Sequence, residues 1–187
     1  MIADSQRVVV SDTDADDGYD GVVYDLDGTL VHLAVDWRAV ERDLTDLLAT
    51  VDVDATGFGA WEYLDAAVDA GIGAEAEALI SEYERAGAER AERLPHADEL
   101  RDGTRPTAVC SLNCERACRI ALSKEDLAER VRAVVGRDSV PTRKPDPAPL
   151  LRAVDALNLD PVDVVFVGDS ERDAETARRA GTGFRYV

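Results

Sequence analysis

The 187 residues carry 39 Asp and Glu against 21 Lys and Arg, a net charge of −18, and 45% of the chain is apolar. That apolar share supplies one well-packed core, or a core with a small appendage; no run approaches the ~18 consecutive apolar residues that cross a bilayer. So acidic a surface repels nucleic acid, and the acidic opening lacks the basic-then-apolar pattern of a secretory signal, so the expectation is a cytoplasmic protein with neither nucleic acid nor membrane as partner.

Residues 1–20 hold one apolar triplet, Val8-Val9-Val10, among several aspartates and read as an acidic N-terminal tail. From Gly21 the pattern changes. Val22-Val23-Tyr24 is a β-prone run followed at once by Asp25-Leu26-Asp27-Gly28-Thr29, which fits a buried parallel strand opening into a polar loop. Residues 34–93 read as about three helices with no strand: apolar residues recur at helical spacing at Val40, Leu44, Leu47 and Leu48, then at Trp61, Leu64 and Val68, with breaks at Gly57, Gly59, Gly71 and Gly73. Trp37 and Trp61 are expected in the core of this block.

Past Pro95 strands and helices alternate. Strands are expected at 106–110, 133–135, 164–167 and 184–187, and helices at 114–122, 124–131, 146–157 and 170–180, the last stopped by Gly181. Strands separated by helices of this length imply an α/β fold with a doubly wound parallel sheet. The core would be 21–33 and 94–187, with a small α-helical block, 34–93, inserted after the first strand. Cys110, Cys114 and Cys118 match no zinc spacing and no disulfide framework, and read as buried small hydrophobes.

Ligands of parallel sheets bind beyond the carboxyl ends of the strands. Those ends carry Asp25 and Asp27, then Ser111 and Asn113, then Lys144, then Asp169 with Asp173 one turn on. Converging carboxylates suit a hard cation such as Mg²⁺. A nearby ammonium and hydroxyl can hold phosphoryl oxygens, and a carboxyl two residues from an anionic nucleophile can pass a proton to a leaving oxygen and take one from water. A lone Asp-x-Asp says little here, since Asp12-Thr13-Asp14 and Asp52-Val53-Asp54 also occur. The weight lies in the ordered set, and in a lysine kept at position 144 of a chain whose only other lysine is Lys124.

These residues are similar to a known family. Asp25-Leu26-Asp27-Gly28-Thr29-Leu30, Ser111, Lys144 within Arg143-Lys144-Pro145-Asp146-Pro147, and Gly168-Asp169-Ser170 with Asp173 resemble, in order, the four motifs of the haloacid dehalogenase-like hydrolases, especially phosphoglycolate phosphatase-like members. The resemblance implies a Rossmann-like core with a helical cap at 34–93. Asp25 would be the nucleophile that becomes aspartyl-phosphate, and Asp27 the acid/base. Ser111 and Lys144 would hold the phosphoryl group, with Gly28, Thr29 and Asn113 around it. Mg²⁺ would be held by Asp25, Asp27 through its backbone carbonyl, Asp169 and Asp173. The implied reaction is hydrolysis of a small phosphorylated metabolite. A mutase on the same scaffold remains open. Dehalogenation is disfavoured by Asp27 and Asp169, and phosphonate cleavage by a cap without lysine. A phospho-receiver domain would need an acceptor Asp after the third strand, where Asp138 is available, but does not account for the insertion or for Asp169 and Asp173. Intact Asp25, Asp27, Lys144 and Asp169 oppose a catalytically silent binding protein. His32 could touch substrate, and Arg38, Arg42, Arg85, Arg90 and Arg93 could meet an anionic tail, but a structural histidine and charge balance with surface acids are the expectations. The acidic, arginine-rich composition also resembles proteins of halophilic archaea, since molar salt screens self-repulsion.

Overall fold

The computed structural model describes residues 18–187, so most of the expected tail, 1–17, lies outside the described residues. The strands are β1 Gly21–Tyr24, β2 Val31–His32, β3 Glu92–Arg93, β4 Thr107–Cys110, β5 Ala133–Val135, β6 Val164–Gly168 and β7 Gly183–Tyr186. The helices are α1 Trp37–Ala49, α2 Ala60–Asp69, α3 Gly73–Ala88, α4 His96–Asp102, α5 Glu115–Lys124, α6 Ala148–Leu157 and α7 Glu171–Ala180.

Five strands form one parallel sheet in the order β5-β4-β1-β6-β7. Successive side chains of a strand point to opposite faces, and both faces here are covered. Val22 and Tyr24 of β1 and Val165 and Val167 of β6 join Ala117, Cys118 and Ala121 of α5 in one cluster. Val23 and Phe166 turn the other way, onto Leu150 and Val154 of α6 and Ala177 of α7. This is why β1 and β6 are unbroken apolar runs rather than alternating ones. The α/β doubly wound arrangement expected from the sequence is the one observed.

Helices α1, α2 and α3 pack around an apolar cluster of their own, built on Val40, Leu44, Leu48, Tyr63, Leu64 and Ile80. The chain leaves for this layer through β2 and returns through β3, which pair antiparallel as Val31 with Arg93 and His32 with Glu92. The Lys124 ammonium donates to Ala91 O at 2.7 Å, and Leu94 N donates to Leu30 O at 3.0 Å. Arg93 also reaches Glu125 O.

Four expectations are corrected. Strand β3 lies inside the stretch 34–93 read as wholly helical; two residues are too few for a period to show. Helix α4 was not anticipated. The helix expected at 124–131 is only a single 3₁₀ turn, Ala128–Arg130. Asp126 takes φ +58°, and Asp126 N and Leu127 N fold back onto Ser123 O and Leu122 O, closing α5 with a left-handed cap. Trp37 is 43% exposed rather than core. The three cysteines are buried and free, as expected.

Candidate active site

Strand β1 delivers Asp25 to the carboxyl edge of the sheet, where its N–H donates to Val167 O at 2.8 Å. The chain then turns tightly, with the N–H groups of Thr29, Leu30 and Val31 all donating to Leu26 O. Gly28 makes this turn possible. Its φ is +85°, and a Cβ there would lie 2.1 Å from Asp169 Oδ2, so the first and fourth strand-end loops touch where only a glycine fits. Its N–H donates to Val31 O at 2.8 Å. Thr29 is buried beside it, and its hydroxyl has no partner among the described residues.

Lys144 reaches into the same space from the loop after β5. Its ammonium donates to Asp25 Oδ1 at 3.0 Å, to Asp173 Oδ1 at 2.5 Å and to Cys110 O at 3.3 Å. Asp173 is placed by a reciprocal cap at the start of α7: Ser170 Oγ accepts from Asp173 N, and Asp173 Oδ2 accepts from Ser170 N and Oγ. Asp169 is exposed at the rim, and one oxygen each of Asp25, Asp169 and Asp173 lie within 4.8 Å of one another. Asp27 accepts from Leu33 N at 2.8 Å, and the imidazole of the exposed His32 lies 3.8 Å from it.

The charges do not balance internally. Burial, opposed by Lys144, pushes the Asp25 carboxyl up to about 6. Burial also raises Asp27 against the Leu33 N–H, and raises Asp169 with the neighbouring Asp173 adding to it. Burial alone would lower Lys144, but Asp25 and Asp173 hold it above its ordinary value, so it stays an ammonium. Three carboxylates facing one ammonium form an oxygen-only donor set with surplus negative charge, which fits a hard divalent cation.

A stability consequence follows. Because Asp25 binds its proton more tightly folded than unfolded, the native state holds the extra proton between the ordinary 3.8 and about 6. Its contribution to stability therefore falls as pH rises through that window. In metal-free protein, the melting-temperature advantage of Asp25→Asn over wild type is expected to grow from pH 4 to pH 6.5, and Mg²⁺ at the higher pH to shrink it. A pH-independent difference by scanning calorimetry would contradict this.

At the next strand end, Ser111 N donates to Val135 O at 2.9 Å, and Ser111 Oγ donates to Asn113 Oδ1 at 3.0 Å. Sequence reasoning missed two neighbours of this loop. Glu84 of α3, 1% exposed, accepts from Cys114 N at 2.8 Å, and Arg137 pairs with Glu84 at 2.6 Å. Arg137 follows a strand, but nothing local marks Glu84 among the acids of its helix. Asp138, the acceptor a receiver domain would need, instead accepts from Glu115 N at 2.7 Å and caps α5. Trp61 packs partly buried against the α1–α3 cluster, as expected, and its ring centroid also lies 5.4 Å from the Arg143 guanidinium carbon and 5.2 Å from that of Arg172. Arg42 pairs with Asp43, Arg90 with Ala34 O, and Arg93 with Asp98 and Glu125, all away from the carboxylate cluster.

Residues 19–181 match the family model of the haloacid dehalogenase-like hydrolases. A phosphoglycolate phosphatase of Cereibacter sphaeroides is 38% identical over 189 residues, covering 88% of this chain and 83% of that protein. An N-acetylmuramic acid 6-phosphate phosphatase of Pseudomonas putida is 54% identical over 56 residues, covering 30% of this chain and 25% of its own. The fold is shared with a HAD-superfamily hydrolase of subfamily IA from Geobacter sulfurreducens, with a TM-score of 0.63 at 20% identity, covering 90% of this chain and 94% of that one. The strand-end cluster and this similarity along nearly the whole described chain agree: the protein is a phosphatase belonging to the haloacid dehalogenase-like hydrolase family.

Proposed function

We propose that this chain is a Mg²⁺-dependent phosphatase that hydrolyses a small phosphorylated metabolite through an aspartyl-phosphate on Asp25. The observation that supports this best is the buried Lys144 ammonium bridging Asp25 and Asp173, which lie 119 and 29 residues from it in the chain and meet only through the fold. An Asp25 oxygen attacks phosphorus, the bond from phosphorus to the ester oxygen breaks, and Asp27 gives its proton to that oxygen. Water then attacks the aspartyl-phosphate phosphorus and passes a proton to Asp27, and the phosphorus–Asp25 bond breaks to return the free carboxylate. Desolvation of Asp27 favours the protonated form it needs for the first step. Lys144 and Ser111 hold the phosphoryl oxygens, with Gly28, Thr29 and Asn113 beside them. Asp25, Asp169, Asp173 and the Asp27 backbone carbonyl would hold Mg²⁺, which when bound neutralises phosphoryl charge. The α1–α3 layer acts as the cap over the site.

The test is phosphate release from p-nitrophenyl phosphate, phosphoglycolate and a panel of other phosphomonoesters, in molar KCl because of the acidic excess. Turnover that needs Mg²⁺ and is abolished by EDTA is expected. Turnover indifferent to EDTA, or none across the panel, would reject the proposal. Gly28→Ala should cost about 1–2 kcal/mol through its positive φ and, by displacing Asp169, ~10²-fold in turnover. Normal activity in that variant would show the Gly28–Asp169 contact to be dispensable.

A further inference from the structure

Glu84 and Arg137 are a buried acid–base pair with no part in the chemistry above. Glu84 is 1% and Arg137 8% exposed. The guanidinium is fully engaged. Nη1 donates to Glu84 Oε1 at 2.6 Å and to Leu112 O at 2.7 Å, Nη2 donates to Glu84 Oε2 at 3.1 Å and to Glu77 Oε1 at 2.7 Å, and Nε donates to Glu77 Oε2 at 2.9 Å. Glu77 and Glu84 both belong to α3, whereas Arg137 and Leu112 belong to the sheet side. One arginine therefore fastens the helical layer to the loop that carries Ser111.

The remaining capacity of Glu84 is spent inside that loop. It accepts from Cys114 N at 2.8 Å and from Asn113 Nδ2 at 3.4 Å. A carboxylate only accepts, so it turns the Asn113 amide with nitrogen toward Glu84 and oxygen toward Ser111. That oxygen takes the Ser111 hydroxyl hydrogen at 3.0 Å, and Asn113 N donates back to Ser111 Oγ at 3.2 Å. From behind, Arg137 N donates to Asn113 O at 2.9 Å. Gly136 lets the loops approach, since a Cβ there would meet Glu115 N at 2.2 Å. Arg137, Glu84, Asn113 and Ser111 form one relay from the helical layer to the strand end.

A buried ion pair is a poor way merely to hold two layers together, because desolvating both charges offsets most of their attraction and apolar residues serve as well. What apolar residues would not do is orient an amide and a hydroxyl. We propose that Glu84, held by Arg137, is a positioning residue for phosphate recognition. It sets Asn113, and through it the position of Ser111 Oγ, only when the helical layer sits on the sheet; the single hydroxyl hydrogen, donated to Asn113 Oδ1 here, turns to a phosphoryl oxygen when phosphate binds. The phosphate-binding loop is thus completed by the layer above it. This rests on the reading of Ser111 and Asn113 as phosphoryl-binding.

The test is a cycle among wild type, Glu84→Met with Arg137→Met, Asn113→Ala, and the triple variant. It reads kcat and KM for p-nitrophenyl phosphate with Mg²⁺, the inhibition constant of inorganic phosphate, and melting temperature. The paired methionines remove both charges at similar volume, and the 32% exposed Glu77 stays solvated. The pair is expected to melt near wild type, with KM and the phosphate inhibition constant both raised ~10-fold and kcat changed less. Asn113→Ala should do the same, and the triple variant should add less than ~2-fold, because Glu84 acts through Asn113. Wild-type KM and phosphate inhibition in the paired variant, or effects that multiply fully in the triple, would overturn the inference while leaving the phosphatase reading in place. A wild type without turnover would remove both. If the paired variant fails to fold, the isosteric Glu84→Gln decides by the same constants: a raised KM and phosphate inhibition constant support the relay, and unchanged values reject it.

Discussion

Asp25→Asn is expected to cut p-nitrophenyl phosphate turnover by at least ~10³-fold while the protein stays folded. An amide nitrogen or oxygen at this position cannot form the acyl phosphate, whereas its size and its Leu26 and Lys144 neighbours are kept. The fold should not suffer, because the carboxyl is held under strain: burial raises it to about 6 even with an ammonium 3.0 Å away. Metal-free Asp25→Asn should be at least as stable as wild type at neutral pH. Circular dichroism and a melting curve check the fold, and mass spectrometry of acid-quenched protein checks for the phosphorylated chain. Wild-type rates in the variant would end the covalent role.

Lys144→Met is expected to lose activity and, unlike Asp25→Asn, much of its stability. The Lys144 side chain is 1% exposed and serves two carboxylates at once, one of them the fully buried Asp173. Removing one partner of a buried pair leaves uncompensated charge and costs about 3–5 kcal/mol, on the order of 10 °C in melting temperature for a chain of this size. Mg²⁺ should return part of the loss, since a cation beside Asp25, Asp169 and Asp173 supplies the missing positive charge. Without Lys144 the pull that lowers Asp25 is gone, so the Asp25 carboxyl should move further up. A variant that melts like wild type in EDTA would mean that the ammonium is not what stabilises the two buried carboxyls side by side. The contrast between Asp25 and Lys144 follows from their surroundings: one is an acid that the protein resists ionising, the other the base that makes that ionisation tolerable.

The strands that carry the site were readable because burial on both faces makes β1 and β6 continuous apolar runs, and the polar residues begin where each run ends. The Gly28 turn was readable as punctuation, and so was the stop of α7 at Gly181, where φ is +78°. The end of α5 was not. Lys124 to Val131 has helix-forming residues throughout, and only the left-handed Asp126 and the burial of Leu127 stop it. Trp37 was misplaced for a related reason: a helical period marks the side on which an apolar residue lies, not whether another layer covers it.

By itself, then, the sequence determined the α/β class, the parallel sheet and the order in which acids, hydroxyl and lysine arrive at its edge, because these depend on periods and turn residues within a few positions of one another. The tertiary structure alone decided that Lys144 lies between Asp25 and Asp173, that a glycine is required against Asp169, and that Glu84 enters the Ser111 loop. Glu84 and Arg137 are 53 residues apart in the chain. Contact between charges so distant is set by how layers pack, and a helix surface rich in acids gives no local sign of which one will be taken out of water.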